Sequence, residues 1–477
     1  MSALTKHRVA SNTVIQLVGK LAVLVVSLVS IGVITRYLGP DDYGRYALAL
    51  MYVQLFGVLA DVGIYTTVVR DISKEPERTE ELVGNAISLR SVLSILVIVL
   101  GGLISLALPY DKDVRVGILI AGVPLLLGMI TTSIAAILQA RLRMGRAVIG
   151  EVLGRAAALA LVVVVVVLDL GFYAVLVAAA GGAAVHLVVV WLLTRGFAHL
   201  RPLAERDVWV RLLKAGLPLG VALAINAVYF RADTLIISLF EPYEQVGLYS
   251  LAYRVLEVAM VLGTVYLASV FPVLSEAVAR DPERARRVIQ TSSDLLVVVS
   301  VPVVVGGALL APEIIDLAAG EDFSGAVEPL QILLVAGGLA WINGVFGYAL
   351  IAVERQASAL WLNVTGLVFN VALNFLLVPR YGIVAAAIVT VASEIVILAG
   401  SVPLMRRYLG FFPPPRTLAA ALLGGAAMAA VLWPIRDAPV LVTAPLVLAL
   451  YAVVVYAVSP VTRAVIAGLR SPPGSVS

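Results

Sequence analysis

The sequence predicts an all-helical membrane protein with about fourteen transmembrane helices, and three observations support this. The 477 residues are 61% hydrophobic and only 13% charged, with a mean hydropathy of +1.04. Soluble domains carry about 25% charged residues, so this chain could not cover its surface in water. Its apolar runs are about 20 residues long, the length of a helix that crosses a bilayer, whereas barrel strands alternate over about 10 residues.

The candidate spans form two groups of six and a final pair. The first group lies near residues 11–35, 44–68, 84–108, 115–139, 147–168 and 171–194. The second group lies near 215–240, 246–272, 289–311, 327–351, 357–378 and 383–405, and the final pair lies near 416–435 and 440–459. These runs predict an N-terminal six-helix lobe (1–194), an interfacial cytoplasmic linker (195–214), a C-terminal six-helix lobe (215–410), two additional helices (411–460) and a disordered cytoplasmic tail (461–477).

A short repeat indicates that the two lobes are related. The pattern Gly-x-Tyr-x-Leu-Ala runs from Gly44 to Ala49 and again from Gly247 to Ala252. Each copy follows an acidic turn that contains proline, and each opens the second span of its group. Because six spans separate the copies, both lobes enter the membrane in the same direction, which predicts a parallel repeat with a substrate path between the lobes.

Charge distribution predicts the orientation. Of the basic residues outside the spans, 23 lie in segments on one side of the membrane and 6 on the other. Basic residues favour the cytoplasmic side, so both termini are predicted to be cytoplasmic in a multi-pass protein of the cell membrane. The chain has no cysteine, which excludes disulfides and cysteine metal sites, and it has no P-loop for ATP. We expect no cofactor, metal or nucleic acid.

Polar and ionisable residues inside spans are the candidate functional residues, because each ionisable group costs roughly 2.5–3.5 kcal/mol at a helix centre. Arg254 and Glu257 are three residues apart and share a helix face. Asn363, Asn370 and Asn374 form one polar stripe. Any of these residues could also be a structural tie between helices, and the sequence leaves that open. The candidates are Asp61, Arg90, Asn226, Tyr229, Arg231, Asp233, Tyr253, Arg254, Glu257, Asn370, Asn374 and Glu394.

Several motifs resemble those of a known family. Arg36-Tyr37-Leu38-Gly39-Pro40, with Tyr43-Gly44-x-Tyr46, is similar to the first-loop signature of polysaccharide-biosynthesis flippases. Val246-Gly247-x-Tyr249-x-x-Ala252-x-Arg254 and Asn374-x-x-x-x-Pro379-x-Tyr381-Gly382 resemble the pattern of that family's second lobe. These flippases belong to the multidrug/oligosaccharidyl-lipid/polysaccharide (MOP) exporter superfamily, which also contains the MATE drug exporters. The resemblance covers about residues 10 to 410.

The resemblance implies a transporter, not an enzyme, that moves a polyprenyl-(pyro)phosphate-linked oligosaccharide to the outer leaflet by alternating access. Its partners would be that substrate, membrane lipids and a coupling proton or sodium ion, and it would act as a monomer. Arginine would bind the phosphates, whereas asparagine and tyrosine would contact sugar hydroxyls. The substrate-binding residues would then be Arg90, Arg231, Arg254, Asn226, Tyr229, Tyr253, Asn370 and Asn374. The ion-coupling residues would be Asp61, Asp233, Glu257 and Glu394.

Two alternatives remain open at this point. A proton- or sodium-coupled antiporter of cationic drugs would share the fold, although Arg231 and Arg254 argue against a cationic substrate. A polyprenyl-dependent glycosyltransferase could use Asp41 and Asp42 as its acidic pair. Such enzymes need a large outer loop, which this sequence does not predict, so we expect these two residues to cap the start of the second span.

Overall fold

The computed structural model describes residues 3–415, 417–435 and 440–458, and the regular secondary structure of this part of the chain is entirely helical. The helices of the first half are α1 (Ala3–Asp61), α2 (Ile64–Lys74), α3 (Thr79–Leu106), α4 (Lys112–Ala140), α5 (Met144–Val167), α6 (Phe172–Thr194) and α7 (Arg206–Phe240). Those of the second half are α8 (Tyr243–Arg280), α9 (Pro282–Leu309), α10 (Ala311–Ala319), α11 (Val327–Ala352), α12 (Gln356–Leu409), α13 (Leu418–Leu432) and α14 (Val440–Val458). The predicted tail (461–477) lies outside the described residues.

Two of these helices each contain two predicted spans. α1 continues through a single non-helical residue, Gly39, with φ 67° and ψ 176°, and Pro40 follows it. α12 has the same kind of break at Gly382, with φ 64°. Glycine adopts positive φ at little cost because it lacks a Cβ atom. The acidic turn predicted before Gly44 is therefore a one-residue kink at which two helical segments meet, between the predicted spans 11–35 and 44–68.

The predicted number of spans is not confirmed. In the described residues, nine helices are long and apolar enough to cross a membrane, or ten if the bent α7 is included. The difference has two physical reasons. The kinked helices each combine two predicted runs, and α13 (Leu418–Leu432) has only 15 residues.

The lipid-facing surface is visible on α3. Val92, Ile95, Val99 and Leu103 are each half exposed or more, at 50–57%. An apolar row of this size would be unfavourable in water, whereas in a bilayer it contacts acyl chains at no cost. The chain is a multi-pass membrane protein.

The helices form two compact units. The first contains the residues up to Gly247 together with Ala318–Asp322, and the second contains Leu248–Leu317 and the residues from Phe323 onward. The first unit has a core between α2, α3, α4 and α7 that includes Ile64, Leu82, Ile137 and Leu212. The second unit has one core that includes Trp341, Phe346 and Met405. A second core in this unit joins α9 to α13 and α14.

The junction between α1 and α2 positions the first candidate residue, Asp61. Val62 has φ 43° and Gly63 has φ 71°, so the helix stops at Asp61 and restarts at Ile64. Positive φ is unusual for a β-branched residue. The backbone of α7 packs on this junction at Gly216 and Gly220, where an added Cβ atom on Gly220 would lie 2.7 Å from Val62. A close backbone contact therefore holds the end of α1 in place.

Candidate functional site

Two charged residues among the candidates, Arg90 of α3 and Asp233 of α7, are only 3% exposed. The contacts of Arg90 extend across several helices. Its Nη2 atom lies 2.8 Å from Oδ1 of Asp61, at the end of α1. Its Nη1 atom donates to the hydroxyl oxygens of Thr132 and Ser133, both at 2.9 Å, and to the Met129 carbonyl oxygen at 3.1 Å. The guanidinium thus joins three helices of the first unit, α1, α3 and α4.

Tyr65 extends this network. Its backbone nitrogen lies 3.4 Å from Oδ1 of Asp61, and its hydroxyl donates to Oε1 of Gln139 on α4. One buried atom, Nε of Arg90, has no hydrogen-bond partner among the described residues. The family resemblance implies that Arg90 binds substrate and Asp61 couples to an ion, and the structure pairs these two residues with each other. Both functional assignments remain predictions.

A second ion pair lies on α8 in the second unit. Nη1 of Arg254 is 2.6 Å from Oε2 of Glu257, which confirms that these residues share a helix face. Unlike Arg90, the Arg254 side chain is 44% exposed. The neighbouring Tyr253 is buried, and its ring packs at 6.2 Å from the ring of Tyr249. The Arg254 side chain is therefore partly accessible, whereas that of Arg90 is not.

The predicted asparagine stripe on α12 is buried at only two of its three positions. Nδ2 of Asn374 donates to Oδ1 of Asn370 at 3.0 Å, and both side chains are buried, at 0% and 2% exposed. Asn363 is exposed instead. Regular spacing on one helix predicts a shared face, but the neighbouring helices decide how much of that face is covered.

Glu394, on the same helix after the Gly382 kink, is 5% exposed and bonds to a residue that the sequence analysis missed. Nδ2 of Asn343 on α11 donates to Oε2 of Glu394 at 2.7 Å and to its carbonyl oxygen at 2.9 Å. The spacing along the chain gave no signal for this pair, because the residues are 51 positions apart. The signal that could have identified Asn343 is its position as a polar residue within an apolar run.

A further buried carboxyl was also missed. Asp294 of α9 is 3% exposed; its Oδ1 atom accepts from Thr417 at 2.8 Å and its Oδ2 atom accepts from Gln290 at 2.9 Å. Both the acidic residue and the glutamine lie within the predicted span 289–311, so the same rule that selected Glu394 could have selected them. Thr417 ties the segment before α13 to α9.

We expect Thr417→Val to destabilise the protein by about 1–3 kcal/mol, because the buried Asp294 oxygen would lose its hydrogen-bond donor. The measurement is the midpoint of thermal unfolding of the purified protein in detergent. Thr365→Val is the control, because the exposed Thr365 hydroxyl bonds only to the carbonyl of Trp361 in its own helix. If both variants lowered the midpoint of thermal unfolding equally, the hydrogen bond between Thr417 and Asp294 would not be the cause of the loss.

The candidates on α7 differ in burial. Asp233 is 3% exposed, whereas Tyr229 and Arg231 are half-buried. The side chain of Asn226 lies outside the described residues. The roles predicted for these four residues remain predictions.

A cluster around Arg45 follows the Gly39 kink, and we call it the first-loop cluster. The Arg45 guanidinium contacts the carboxylate of Asp41, lies 2.6 Å from that of Asp42 and lies 3.0 Å from that of Asp111. It also stacks over the Tyr243 ring at 5.0 Å, and the Tyr243 hydroxyl accepts from the Asp111 backbone nitrogen at 2.9 Å. Asp41 and Asp42, which we predicted to be helix caps, thus bind Arg45.

Next to this cluster, the two copies of the Gly-x-Tyr repeat begin side by side. A Cβ atom added to Gly44 would overlap the Tyr243 carbonyl oxygen, and one added to Gly247 would overlap the Pro40 carbonyl oxygen. Tyr110, in the loop between α3 and α4, packs nearby and shares a 2.9 Å hydrogen bond with Ser238. Burial raises the pKa of Tyr110 to about 12, so this contact is unaffected by pH in the physiological range.

Comparison with protein families identifies the chain. The sequence model of the family described as "Polysaccharide biosynthesis protein" matches residues 9–278, which is more than half of the chain. The chain belongs to the polysaccharide biosynthesis protein family. A second model, MatE, matches residues 218–376 of this family member.

Relatives of this polysaccharide biosynthesis family member occur in Haloferax volcanii. "Probable flippase AglR" is 27% identical over 213 residues, which is 44% of this chain and 44% of the relative. "Probable low-salt glycan biosynthesis flippase Agl15" is 28% identical over 166 residues, which is 35% of each chain. The matched region therefore spans less than half the length of these curated relatives.

The similarity in fold extends over nearly the whole chain. The structure described as "Lipid II flippase MurJ, inward closed conformation" matches with a TM-score of 0.78, covering 96% of this chain and 100% of that chain at 11% identity. At this identity the match establishes the fold alone. The all-helical fold predicted from the sequence is confirmed.

Proposed function

We propose that this chain is a flippase that moves a polyprenyl-(pyro)phosphate-linked oligosaccharide from the inner to the outer leaflet of the cell membrane. The observation that carries this proposal is the sequence similarity to the two Haloferax flippases, supported by the family match over residues 9–278. The chain is a transporter rather than a catalytic enzyme, and we infer that it works by alternating access as a monomer with both termini in the cytoplasm.

In the proposed mechanism, Arg254 is the main phosphate ligand of the second unit. It pairs with Glu257 in its own helix, and its side chain is 44% exposed. A pyrophosphate group carries more negative charge than Glu257 and accepts two parallel hydrogen bonds from a guanidinium. The substrate therefore replaces Glu257 as the partner of Arg254, and Glu257 is then available for a proton or sodium ion.

Arg90 would act differently in the first unit. Its Nη1 and Nη2 atoms already contact Asp61, Thr132, Ser133 and Met129. For Arg90 to bind phosphate, Asp61 must first be neutralised by a proton or a cation and release the guanidinium. This exchange would couple ion uptake at Asp61 to substrate binding. We assign the sugar contacts to Tyr229, Tyr253, Asn226, Asn370 and Asn374, and further coupling positions to Asp233 and Glu394.

The test is translocation in proteoliposomes of a fluorescent polyprenyl-pyrophosphate oligosaccharide, with a membrane-impermeant quencher reporting exposure in the outer leaflet. We expect the Arg231→Gln/Arg254→Gln variant to lose transport by about 10-fold or more, since a hydrogen bond to a charged group contributes roughly 1.5–3 kcal/mol.

Arg280→Gln on α8 is the matched control. Arg280 also pairs with a glutamate of its own helix, Glu276, but its side chain is 76% exposed at the helix end, so transport should be unchanged. Wild-type transport by the double variant would refute the assigned phosphate site while leaving the flippase function in place.

A drug/cation antiporter is the second candidate, and the MatE match to residues 218–376 is the observation that favours it. It predicts proton- or sodium-driven efflux of cationic dyes and no movement of several lipid-linked oligosaccharides. The exposed Arg254 opposes it, because a cationic substrate would be repelled there. The structure does not favour the glycosyltransferase alternative, because the two residues that would form its acidic pair, Asp41 and Asp42, both bind Arg45.

A further inference from the structure

Three arginines surround one aromatic ring in the first unit. The guanidinium carbons of Arg141, Arg143 and Arg146 lie 4.9, 5.1 and 5.5 Å from the centroid of the Phe197 ring. All three arginine side chains are exposed and Phe197 is half-buried. We call these four residues the arginine cluster. Cation–π attraction to the shared ring holds the three positive groups in one place.

The ends of three membrane-crossing helices position this cluster. α4 ends at Ala140 and α5 begins at Met144, so the connection has only three residues, and Phe197 follows the end of α6 by three residues. All three helices are long and apolar enough to span a bilayer. Helix ends with such short connections lie at the level of the lipid headgroups, where arginine and aromatic side chains are favoured.

The connection also presents an apolar residue between two of the arginines. Leu142 has φ 55° and is 63% exposed. Left-handed φ is uncommon for a residue other than glycine. Here it accompanies two backbone hydrogen bonds that close the end of α4, from Leu142 to Gln139 and from Arg143 to Leu138. Leu142 is therefore an exposed leucine between two cations. Such an arrangement suits a segment that contacts acyl chains and headgroups together.

No carboxylate of the described residues lies within 4.0 Å of the three guanidinium groups. Two carboxylates of the same unit, on α3 and α5, have other partners: Glu80 accepts from the backbone nitrogen of His199, and Glu151 pairs with Lys20. By contrast, Arg78 contacts two glutamates on the same predicted side of the membrane. The positive charges of the arginine cluster repel one another unless an anion joins them.

We propose that the arginine cluster is a binding site for the phosphate group of an anionic phospholipid in the leaflet predicted to be cytoplasmic. Three guanidinium forks converge on one ring and provide donors for several phosphate oxygens. Basic pockets between transmembrane helices on this side of membranes suit lipid headgroups. A lipid is favoured over a soluble phosphate because Leu142 contacts acyl chains while the flanking arginines reach the headgroup. This site lies outside the residues assigned to transport, and it does not depend on the proposed flippase function.

The test is native mass spectrometry of the full-length protein purified in detergent and incubated with an equimolar mixture of phosphatidylglycerol and phosphatidylcholine. We expect wild-type protein to retain phosphatidylglycerol preferentially. The Arg141→Gln/Arg143→Gln/Arg146→Gln variant should lose this preference by about tenfold or more, because three charges near the headgroup are removed.

Two further variants make the result specific. Arg280→Gln/Arg284→Gln/Arg287→Gln removes the same charge from the region around the α8–α9 junction and should retain the lipid as wild type does. In the described part of the chain, none of these three arginines lies over an aromatic ring, whereas their neighbour Arg286, which is left unchanged, lies over Phe411. Phe197→Leu keeps all three charges and the apolar contact, and should lower retention several-fold because the ring no longer gathers the guanidinium groups. Its size-exclusion profile would verify folding.

Three outcomes would overturn the proposal. Equal loss of phosphatidylglycerol from the two triple variants would show a general charge effect. Full retention of phosphatidylglycerol by the Arg141/Arg143/Arg146 variant would show that the arginine cluster does not bind it. Displacement of phosphatidylglycerol by millimolar sodium pyrophosphate would assign the cluster to a soluble phosphate instead of a lipid. Translocation is a separate readout, so failure of one proposal would not be mistaken for failure of the other.

Discussion

Replacing Asp61 by asparagine is expected to lower the free energy of unfolding by about 3 kcal/mol, because it leaves the charge of Arg90 buried without a counter-ion. The Arg90 side chain is 3% exposed, so water cannot screen its charge. The remaining hydroxyl and carbonyl acceptors of Thr132, Ser133 and Met129 are neutral. Thermal or denaturant unfolding of the purified protein in detergent measures the loss.

Asp71→Asn is the matched control for this effect. Its partner Arg70 is 53% exposed, and such pairs contribute about 0–1 kcal/mol. The double variant Asp61→Asn/Arg90→Met should recover part of the stability, since it removes both charges and not one. If Asp61→Asn lowered the free energy of unfolding no more than Asp71→Asn does, the Asp61–Arg90 ion pair would not stabilise the contact between α1 and α3.

Replacing Gly44 or Gly247 by alanine is expected to cost about 1–3 kcal/mol or more each, because the new methyl group overlaps backbone atoms. Besides the overlapping carbonyl oxygens, a Cβ atom on Gly44 lies 3.0 Å from the Gly247 nitrogen, and one on Gly247 lies 3.0 Å from the Gly44 nitrogen. Backbone atoms cannot rotate away as a side chain can. The start of α8 would therefore move away from α1, and the Arg45–Tyr243 contact beside it would weaken.

Gly128→Ala on α4 and Gly347→Ala on α11 provide the comparison, since an added Cβ atom would have no neighbour within 4 Å at either position. Alanine favours helix over glycine by up to about 1 kcal/mol, so these variants should be neutral or more stable. The Gly44→Ala/Gly247→Ala double variant should lose less than the sum of the single losses, because one displacement relieves both overlaps. Additive losses would show that the two glycines make independent contacts.

The Gly-x-Tyr repeat was informative beyond what its length suggested. From the sequence it indicated two related lobes, and in the structure the two glycines lie against each other's helix. A repeated motif alone does not predict this contact, because a separation of 203 positions along the chain gives no information about the distance between Gly44 and Gly247. The small side chain was nevertheless the right signal, since helix backbones approach closely only at glycine, alanine or serine.

The candidate residues likewise divide into contacts that local spacing predicted and contacts between helices that it did not. Arg254 and Glu257 were predicted to share a face, and a helical spacing of three was sufficient for that. The pairing of Asp61 with Arg90 was not predicted, because the two residues lie on different helices and were selected only as costly groups in spans. Asp294 and Asn343 were overlooked although they satisfy the same criterion, so a stricter application of the rule would have found them.

The sequence by itself determined that this protein is helical, that lipid is its solvent and which family its motifs resemble. These properties follow from composition and from local spacing, which every short segment carries within itself. Only the tertiary structure decided that α1 continues through Gly39, that Arg90 is neutralised by Asp61, and that three arginines share the Phe197 ring. Such contacts join residues on different helices, and packing between helices selects them from many that the same spacing would allow.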